Sequence, residues 1–510
     1  MNLKLMLEET AEQYRGKTAF VLGEHRLSYA ELDEASNRIA NALIKRGVVK
    51  GDRVAILLPN IPEFPVIYFG IIKAGGIAVP LDVRYKVDEL VYLCDNSKPK
   101  VIVTESPYLE PLIPALPQFK SIEHIIDMSS KYEGQFPSYR EIMATSSAQK
   151  VEAELEPEDV AHITYASGAT THPKGAALTH YGLMTAAAIG ADEFQQTDKD
   201  IELLYSLPMC RTFGLVMIML TSVSKGSTVV IAPGLSISSC LELIEKEKVT
   251  ILMGVPSAFT LAVNLAGKEG VRYDLSSLRL CGSAGAPLPV DIMKRFKKLY
   301  GLDIANFWGL TESTALVTSQ PIDGTGKVGA VGKVLPGWEL KIVDDDGQEL
   351  PPNQPGEIIV RGPLMKGYYG NPQATAEVIK NGWLYTGDIG KVDEDGYLFI
   401  LDKKKDVIIV AGQNIYASDI EEVLYTHPKV AEAAVVGIPD KLRGEAVRAV
   451  IRLKEGAVAT EREIKQFCRD RLADFKVPKQ IVFMASLPKT ITGKIHKEAL
   501  KQMSMPDHAR

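Results

Sequence analysis

The sequence predicts an α/β protein with a large N-terminal domain of parallel-rich sheets flanked by helices, a small antiparallel barrel-like subdomain, and a small α+β C-terminal domain. Three observations lead to this fold class. Short apolar runs alternate with helical patterns from about residue 26 to residue 301, hairpin signals replace that pattern after about residue 337, and helices and strands alternate again after residue 402. A chain of 510 residues is long enough for roughly two to four domains.

The N-terminal region contains apolar runs of strand length that neighbour segments of helix length. The runs VAILLP, KVIVTE and TVVIAP occupy residues 54–59, 100–105 and 228–233, and helical patterns cover residues 29–47 and 62–75. Strands that are apolar on both faces and are flanked by helices are typical of a parallel sheet with helices on both sides. We therefore predict such a sheet for this region.

The region that follows has the pattern of hairpins. Asp-Gly dipeptides at residues 346–347 and 395–396 stand between strand-like runs. Asp-Gly between two such runs is a strong hairpin signal, because both residues tolerate the positive φ angles of a tight turn. We predict an antiparallel sheet or small barrel over residues 325–402.

Three consecutive lysines at residues 403–405 precede the last part of the chain, and we place the domain boundary at residues 402–405. Residues 1–402 then form the N-terminal domain and residues 403–510 the C-terminal domain. In the latter, residues 419–427 and 461–472 have helical patterns.

Composition and charge exclude several classes of protein. The chain has 58 basic and 64 acidic residues, a net charge of −6, so no general attraction to nucleic acid or to an anionic membrane is expected. Its five cysteines form no CxxC pair and its eight histidines no HExxH motif, which disfavours a metal cluster. The longest apolar stretch, near residues 213–223, is much shorter than the ~18–20 residues of a membrane span. We expect a cytoplasmic protein with no nucleic-acid partner and no stable membrane insertion.

A candidate phosphate-binding loop lies at residues 165–175, after an apolar, strand-like run. The loop combines small residues, hydroxyl side chains and one lysine. Small residues let backbone N–H groups approach an anion closely, and hydroxyls and a lysine add donors and charge. Taken alone, the same composition also fits an ordinary connecting loop. The loop does not match the GxxxxGK[ST] pattern of P-loop NTPases.

Four further blocks follow this loop in a fixed order. They are Asn306-Phe307-Trp308-Gly309-Leu310-Thr311-Glu312, Tyr385-Thr386-Gly387-Asp388, Lys405-Asp406 with Gly412 and Asn414, and Lys489-Thr490-Ile491-Thr492-Gly493-Lys494-Ile495. Together with the loop, these blocks resemble the adenylate-forming superfamily of acyl-CoA synthetases, aryl-CoA ligases, luciferases and peptide-synthetase adenylation domains. The resemblance covers about residues 10–500 and is closest to the carboxylate–CoA ligases.

The resemblance implies an ATP-dependent ligase that joins a small-molecule carboxylic acid to coenzyme A. The acid and ATP would give an acyl-adenylate and pyrophosphate, and CoA would then give the acyl-CoA and AMP, with Mg²⁺ assisting. The resemblance also implies a mobile C-terminal domain that rotates between the two half-reactions about a hinge near Lys405.

The resemblance assigns catalytic and phosphate-binding roles to specific residues. Lys494 would bridge the attacking carboxylate and the α-phosphate, Thr311 would contact that phosphate, and Glu312 would hold Mg²⁺. The β- and γ-phosphates would be held by Ser167, Gly168, Thr170, Thr171 and Lys174. Without the resemblance, Thr311-Glu312 would be interpreted as the start of a helix.

Other residues would bind the nucleoside, the acyl group and CoA. The adenine and ribose contacts would be Ser283, Ala284, Gly285, Ala286, Asn306, Phe307, Trp308, Asp388 and Lys403. The acyl pocket would include Arg211, Phe213, Gly282 and Gly309, and the hinge and CoA tunnel would include Lys405, Gly412 and Gln413. The alternatives are a core aromatic for Trp308 and an ordinary turn glycine for Gly412.

The loop departs from the family pattern, which usually reads Tyr-Thr-Ser-Gly-Thr-Thr-Gly. Ala166 and Ala169 replace two hydroxyl residues, and Thr171 replaces a glycine. A hydrogen bond to a charged phosphate contributes ~1.5–3 kcal/mol, so we expect altered ATP affinity. Whether the loop is natural or engineered stays open.

Arg211 is a second departure, because the family commonly has histidine at this position. The arginine could pair with the substrate carboxylate or with the second carboxylate of a diacid. It could equally point to solvent or bond a backbone carbonyl, and an unpaired buried arginine would be unfavourable.

Two other functions remain as alternatives. One is an adenylating enzyme that passes the acyl group to a carrier protein, and the other is a catalytically weakened homologue that binds nucleotide or acyl groups. The sequence leaves open the identity of the acid and whether the chain forms a homodimer.

Overall fold

A computed structural model describes residues 2–129, 131–132, 134–165, 173–234, 236–410, 413–440, 443–490 and 495–503. Within these residues the α-helices are α1 Leu3–Gln13, α2 Tyr29–Lys45, α3 Glu63–Lys73, α4 Val87–Ser97, α5 Ser106–Leu109, α6 Tyr139–Thr145, α7 His180–Glu193, α8 Thr212–Gly214, α9 Thr221–Lys225, α10 Ile237–Glu247, α11 Pro256–Glu269, α12 Val290–Tyr300, α13 Pro372–Val378, α14 Ala417–Tyr425, α15 Glu461–Arg469 and α16 Lys497–Lys501. A π-helix spans Leu215–Leu220, and short 3₁₀ segments span Ile113–Gln118, Lys404–Asp406 and Asp474–Lys476.

The strands of the described residues are β1 Thr18–Leu22, β2 His25–Ser28, β3 Arg53–Leu57, β4 Ile77–Pro80, β5 Val101–Thr104, β6 His124–Asp127, β7 Val160–Tyr165, β8 Gly175–Thr179, β9 Ile201–Leu204, β10 Thr228–Ile231, β11 Ile251–Gly254, β12 Leu280–Ser283, β13 Ile304–Trp308, β14 Thr318–Ser319, β15 Lys333–Val334, β16 Glu339–Val343, β17 Gly356–Arg361, β18 Gly367–Tyr368, β19 Ile379–Lys380, β20 Trp383–Val392, β21 Leu398–Lys403, β22 Ile408–Val410, β23 Gln413–Ile415, β24 Val430–Asp440, β25 Gly444–Leu453 and β26 Gln480–Phe483.

Two parallel-rich sheets form the centre of the N-terminal part. One has the strand order β18-β8-β7-β4-β3-β5-β6, and the other has the order β15-β14-β13-β12-β11-β9-β10-β1-β2. Neighbouring strands from β7 to β6 and from β1 to β13 along these orders run parallel, whereas the pairs β7–β8, β8–β18 and β13–β14 are antiparallel. The α/β prediction is therefore confirmed.

The helical pattern at residues 29–47 shows how the sequence determines these elements. Helix α2 begins after Ser28, whose Oγ accepts a hydrogen bond from the backbone N–H of Glu31 over 3.3 Å, while the Glu31 carboxylate accepts one from the Ser28 N–H over 2.8 Å. This capping box satisfies two N–H groups that the helix itself leaves unpaired. Leu32, Ile39 and Leu43 lie on one face of α2 and are fully buried in the core that α2 shares with α3.

Two further sheets follow the parallel-rich sheets. Strands β16, β17, β20, β19 and β21 form a five-stranded sheet, as the hairpin signals predicted, with residues 346–347 between β16 and β17 and residues 395–396 between β20 and β21. Strands β22 to β26 form a separate mixed sheet, packed with α14 and α15 around its own apolar core. None of the helices among the described residues is both long and apolar enough to cross a bilayer.

The core of the second parallel-rich sheet contains a carboxyl group. Glu202 lies on β9 with no exposed surface, and its Oε2 atom accepts hydrogen bonds from Ser222 Oγ over 2.9 Å and from Gln196 Nε2 over 3.2 Å. Its Oε1 atom has no partner among the described residues. Burial raises the pKa of Glu202 well above its ordinary value, and the two hydrogen bonds lower it by less.

The raised pKa predicts that Glu202 makes folding pH-dependent. Above pH 4.5 the unfolded chain loses the Glu202 proton while the folded chain retains it. The folded state therefore becomes less stable relative to the unfolded state as pH rises towards the folded pKa of Glu202. The unfolding free energy should fall by up to ~1.4 kcal/mol per pH unit in that window. The melting temperature of Glu202→Gln, relative to the parent protein, should therefore rise between pH 5 and pH 8. Glu242→Gln, at an exposed position of α10, serves as the control, and an equal pH trend in both variants would contradict the prediction.

Candidate active site

The predicted phosphate loop connects β7 to β8, which form an antiparallel hairpin with Tyr165 opposite Gly175. Residues 166–172 lie outside the described residues, and they include Ala166, Ser167, Gly168, Ala169, Thr170 and Thr171. Lys174, at the far end of the loop, is half-exposed, and its Nζ atom lies 3.9 Å from the carboxylate of Glu377. The hairpin therefore places Lys174, the one lysine of the loop, beside α13 and β18.

Lys174 and Glu312 are connected through Tyr368, a residue that none of the sequence motifs includes. Lys174 Nζ lies 5.1 Å from the centre of the Tyr368 ring. The Tyr368 hydroxyl donates a hydrogen bond to Glu312 Oε1 over 2.8 Å. Burial and the adjacent carboxylate raise the pKa of Tyr368, so its hydroxyl keeps the proton that this bond needs. The residues predicted to face phosphate and Mg²⁺ thus meet at one aromatic side chain.

Strand pairing explains why Tyr368 lies there. In the short strand β18, Tyr368 pairs with Ala176 and Gly367 pairs with Ala177 of β8. The Tyr368 N–H also donates a hydrogen bond to Thr375 Oγ1 over 2.8 Å. The only sequence signal is a pair of tyrosines between two glycines, which does not reveal the partner strand.

The segment from Gly309 to Ala315 forms a turn. The carbonyl of Thr311 accepts a hydrogen bond from the Thr314 N–H over 3.0 Å, and no helix begins here. The alternative interpretation of Thr311-Glu312 as a helix start is therefore wrong. A Cβ atom at Gly309 would lie only 1.5 Å from the Ala315 carbonyl oxygen, and Ala315 has a φ of +133°. Such a sharply folded, strained backbone places Glu312 directly after the end of β13.

Asp388 connects the predicted nucleoside residues. Its Oδ2 atom accepts a hydrogen bond from the indole N–H of Trp308 over 3.2 Å, and its Oδ1 atom lies 2.5 Å from Lys403 Nζ. Asp388 and Lys403 are opposite each other on β20 and β21. Trp308 is only 8% exposed, which agrees with the alternative of a core aromatic. The three side chains contact one another, and their assigned contacts with adenine and ribose stay predictions.

The segment from Gly282 to Ala286 runs out of the carboxyl end of β12. Gly285 and Ala286 are exposed, and Gly285 has a φ of +86°, which favours glycine. Ser283 is fully buried, and its Oγ atom has no partner among the described residues. A buried hydroxyl without a partner at the end of a parallel strand fits a hydrogen bond to a ligand. Ala284 is partly exposed beside it.

Gly282 and Phe307 pack against each other in the core. A Cβ atom at Gly282 would lie 2.3 Å from Phe307 Cε2 and 2.4 Å from Met253 Sδ. The Phe307 ring also contacts the ring of Phe194, with the two ring centres 5.1 Å apart. Phe307 is therefore a core residue, and Asn306, which precedes it on β13, is also buried.

Arg211 bonds a backbone carbonyl, one of the alternatives that its sequence position left open. One terminal nitrogen, Nη1, donates to the carbonyl oxygen of Tyr165. The other, Nη2, donates to the hydroxyl of Tyr85 over 3.1 Å and lies 3.5 Å from Asp82 Oδ2. Phe213, two residues further on, is partly exposed beside the main core.

The predicted hinge position, Lys405, lies in the 3₁₀ turn Lys404–Asp406, which follows β21 of the antiparallel sheet and precedes β22 of the mixed sheet. Lys405 is exposed, and its carbonyl accepts a hydrogen bond from Lys501 Nζ over 3.2 Å. Gln413 is also exposed, at the start of β23. Gly412 and Lys494 lie outside the described residues.

Comparison with known proteins identifies the family. Residues 7–369 match the family model of AMP-binding enzymes, and residues 419–494 match that of the AMP-binding enzyme C-terminal domain. A long-chain-fatty-acid–CoA ligase of Bacillus subtilis is 34% identical over 99% of this chain and 95% of its own length. A long-chain-fatty-acid–CoA ligase of Escherichia coli is 35% identical over 97% of this chain and 93% of its own length.

Solved structures agree with these matches. The crystal structure of ATP-bound MatB from Rhodopseudomonas palustris has a TM-score of 0.91 and 31% identity, over 98% of this chain and 99% of its own. The anthranilate CoA ligase AuaEII, in complex with anthranoyl-AMP, has a TM-score of 0.92 and 29% identity, over 98% of this chain and 96% of its own. This chain therefore belongs to the AMP-binding enzymes, the adenylate-forming superfamily that its ordered motifs predicted.

Proposed function

We propose that the protein is an ATP-dependent carboxylic acid–CoA ligase that works through an acyl-adenylate. A carboxylate oxygen attacks the α-phosphorus of ATP and pyrophosphate leaves; the thiolate of CoA then attacks the acyl carbon and AMP leaves. The observation that carries the proposal is the meeting of Lys174, Tyr368 and Glu312 beside the phosphate loop in a chain that matches acid–CoA ligases over nearly its whole length. ATP and CoA are the nucleotide and thiol substrates of this reaction.

The first half-reaction brings an anion to a polyanion, so the site needs cations and N–H donors near the phosphates. We assign the β- and γ-phosphates to Lys174 and to the loop residues Ser167, Gly168, Thr170 and Thr171. Thr311 faces the α-phosphate from the turn that follows β13. This arrangement draws its support from the hairpin β7–β8 and from the contact between Lys174 and Tyr368.

Glu312 is the proposed protein ligand of Mg²⁺. The described residues include no group of three or more His, Cys, Asp or Glu side chains that could hold a metal ion, so the ion would depend on Glu312, phosphate oxygens and water. Mg²⁺ commonly binds in this way, with one or two carboxylates and substrate phosphates. When bound, the ion would neutralise phosphate charge. The Tyr368 hydroxyl orients Glu312 for this task by bonding its Oε1 atom.

Asp388 is the proposed acceptor for the ribose hydroxyls, with Lys403 beside it. Before nucleotide binds, Asp388 is paired with Lys403 and Trp308. Ribose hydroxyls would therefore share a carboxylate that is already fixed in place. The buried hydroxyl of Ser283, which has no partner among the described residues, would form a hydrogen bond with the nucleotide.

We propose two domains, residues 1–402 and 403–510, which rotate about a hinge near Lys405. The separate sheet β22–β26 and the short turn Lys404–Asp406 support this division. In one orientation Lys494 would stabilise the charge that develops during adenylation, and in the other Gly412 and Gln413 would border the CoA tunnel. The cytoplasmic location and the homodimer stay predictions, which cell fractionation and sedimentation velocity test.

Acid-dependent exchange of pyrophosphate into ATP tests the proposed ligase directly. Linear, branched, aromatic and dicarboxylic acids should be compared with a reaction that lacks acid, with AMP and acyl-CoA formation measured for every acid that supports exchange. At least one acid should support both exchange and CoA-dependent AMP release. A folded protein that binds ATP but supports exchange with none of these acids would instead be a binding homologue.

Lys494→Ala should separate the two half-reactions. Loss of a cation that stabilises transition-state charge reduces the rate by roughly 10²–10³-fold, so adenylation should fall by about that factor. Conversion of a supplied acyl-adenylate to acyl-CoA should stay within about threefold of the parent rate. Lys489→Ala, whose lysine is paired with Glu432 at 2.7 Å, is the control for a general effect on this segment. Equal loss of both half-reactions in Lys494→Ala would refute its assigned role.

Tyr368→Phe should raise the Mg²⁺ concentration required for half-maximal adenylation. The substitution removes only the hydroxyl that fixes Glu312, and a hydrogen bond to a charged group contributes ~1.5–3 kcal/mol, so the increase should be about tenfold or more. Tyr369→Phe is a matched control one residue away, and its Mg²⁺ dependence should match that of the parent protein. An unchanged Mg²⁺ requirement in Tyr368→Phe would show that Tyr368 does not position Glu312.

A further inference from the structure

Arg211 joins two segments that are distant in sequence. It lies on the segment 207–214, which precedes the π-helix, and its Nη1 atom donates to the carbonyl of Tyr165, the last residue of β7. Tyr165 is also the residue with which the proposed phosphate loop begins. Arg211 therefore holds the backbone at the entrance of that loop.

The guanidinium of Arg211 is already occupied. Its two terminal nitrogens contact Tyr165, Tyr85 and Asp82, and its Nε atom is shielded from solvent with no partner among the described residues. A substrate carboxylate that paired with both terminal nitrogens would compete with these contacts. The arrangement thus favours a role in holding the protein backbone over direct contact with the acid.

The backbone that carries Arg211 is itself fixed. Asn60 donates from Nδ2 to the carbonyl of Leu207 over 2.9 Å and accepts at Oδ1 from the N–H of Met209 over 2.9 Å. Gly214 packs directly on the same turn, since a Cβ atom there would lie 2.5 Å from the Pro208 carbonyl oxygen. The turn consequently presents the guanidinium from a defined position.

The negative charge of Asp82 stabilises the guanidinium of Arg211 in this position. Asp82 Oδ1 and Oδ2 accept hydrogen bonds from Arg84 over 2.8 and 2.7 Å, and Oδ2 also faces Arg211. Burial alone would raise the pKa of Asp82, but the two arginines outweigh it and lower the pKa, so the carboxylate stays ionised. The Arg211 guanidinium also lies 5.7 Å from the centre of the Tyr85 ring. A planar group with several donors is needed to reach all these partners at once.

The side chain of Tyr165 is anchored as well. Its hydroxyl lies 3.0 Å from the carbonyl of Leu93 and 2.8 Å from Asn96 Oδ1, both on α4. Because Arg211 also holds its carbonyl, Tyr165 is fixed through both its side chain and its backbone. Fixing the entrance of a loop in its bound conformation reduces the entropy that ligand binding must otherwise overcome.

We propose that Arg211 is a positioning residue for ATP: it fixes the carbonyl of Tyr165, the residue from which the chain leaves β7 for the proposed phosphate loop. The proposal rests on the proposed function, because that function assigns the phosphates to this loop. Positioning by Arg211 would support nucleotide binding by a loop that lacks two of the hydroxyls common in the family. The acid is not a ligand of Arg211 in this arrangement.

Binding of a non-hydrolysable nucleotide tests the proposal without any turnover. The affinity of α,β-methylene-ATP with Mg²⁺ should be measured by calorimetry for the parent protein, Arg211→Lys, Arg211→Met and Tyr85→Phe. We expect Arg211→Met to bind about tenfold or more weakly, since a charge-assisted hydrogen bond is lost. Arg211→Lys should recover only part of this affinity, and Tyr85→Phe should show a smaller loss. In pyrophosphate exchange, the KM for ATP should rise while the KM for the acid changes by less than about threefold.

Arg279→Met provides the matched control. Arg279 also bonds a carboxylate, that of Asp200, and two backbone carbonyls, those of Phe194 and Gln195. It lies just before β12, in the second parallel-rich sheet. Its loss should leave the nucleotide affinity unchanged. If Arg211→Met does not fold, Arg211→Lys and Tyr85→Phe carry the test.

Three results would overturn the proposal. A raised KM for the acid with unchanged nucleotide affinity would make Arg211 a contact of the substrate carboxylate. Unchanged affinity and unchanged KM values in all Arg211 and Tyr85 variants would leave the contacts with a purely structural role. Failure of the parent protein to bind the nucleotide would refute the proposed function and this inference together, whereas the first two results leave the proposed function intact.

Discussion

The short antiparallel pairing of β18 with β8 is the contact on which the active site depends. It pairs only Gly367 with Ala177 and Tyr368 with Ala176, yet it joins the hairpin that carries Lys174 to the part of the chain that carries Tyr368. The carbonyl of Glu312 accepts a hydrogen bond from the Met365 N–H over 2.8 Å, which ties the turn after β13 to the residues just before β18. Without this pairing, the lysine of the loop and the acidic residue of the turn would belong to unconnected surfaces.

Three cations in the described part of the site have a carboxylate partner before any substrate binds. Lys174 lies near Glu377, Lys403 is paired with Asp388, and Arg211 faces Asp82. An isolated charge in a partly buried cleft would be unfavourable, so these partners hold the cations in place in the free protein. We expect substrate phosphates to replace Glu377 as the partner of Lys174, which is half-exposed, whereas Arg211 is almost enclosed and would keep its own partners. The difference in exposure is consistent with ligand binding by Lys174 and backbone positioning by Arg211.

The sequence predicted the architecture well, because its signals are local. Apolar runs predicted the parallel strands β3, β5 and β10, and Asp-Gly dipeptides predicted two hairpin turns of the antiparallel sheet. The family resemblance assigned Trp308, Asp388 and Lys403 to one nucleoside site, and the structure brings their side chains into contact. Boundaries were less accurate, since the helical pattern at residues 461–472 gives a helix that ends at residue 469.

The features that the sequence did not predict depend on pairing across long distances. The β8–β18 register helps to place Tyr368 next to Glu312, and the pairing of β4 with β7 brings Asp82, which follows β4, to the side of Tyr165 where Arg211 contacts both residues. Phe307 and Gly282 sit on adjacent strands, so their close packing follows from the parallel register of β12 and β13. A motif gives the identity of a residue, whereas these contacts need the neighbouring strand.

The turn after β13 limits how this protein can be re-engineered. At Gly309 even a methyl group would overlap the carbonyl oxygen of Ala315, so backbone shape, and not side-chain chemistry, restricts that position. Libraries that vary the neighbouring side chains leave this turn intact, whereas randomising Gly309 would mostly yield variants whose carboxylate at Glu312 is misplaced. Selection for new acids should therefore keep this glycine constant and search the side chains around it.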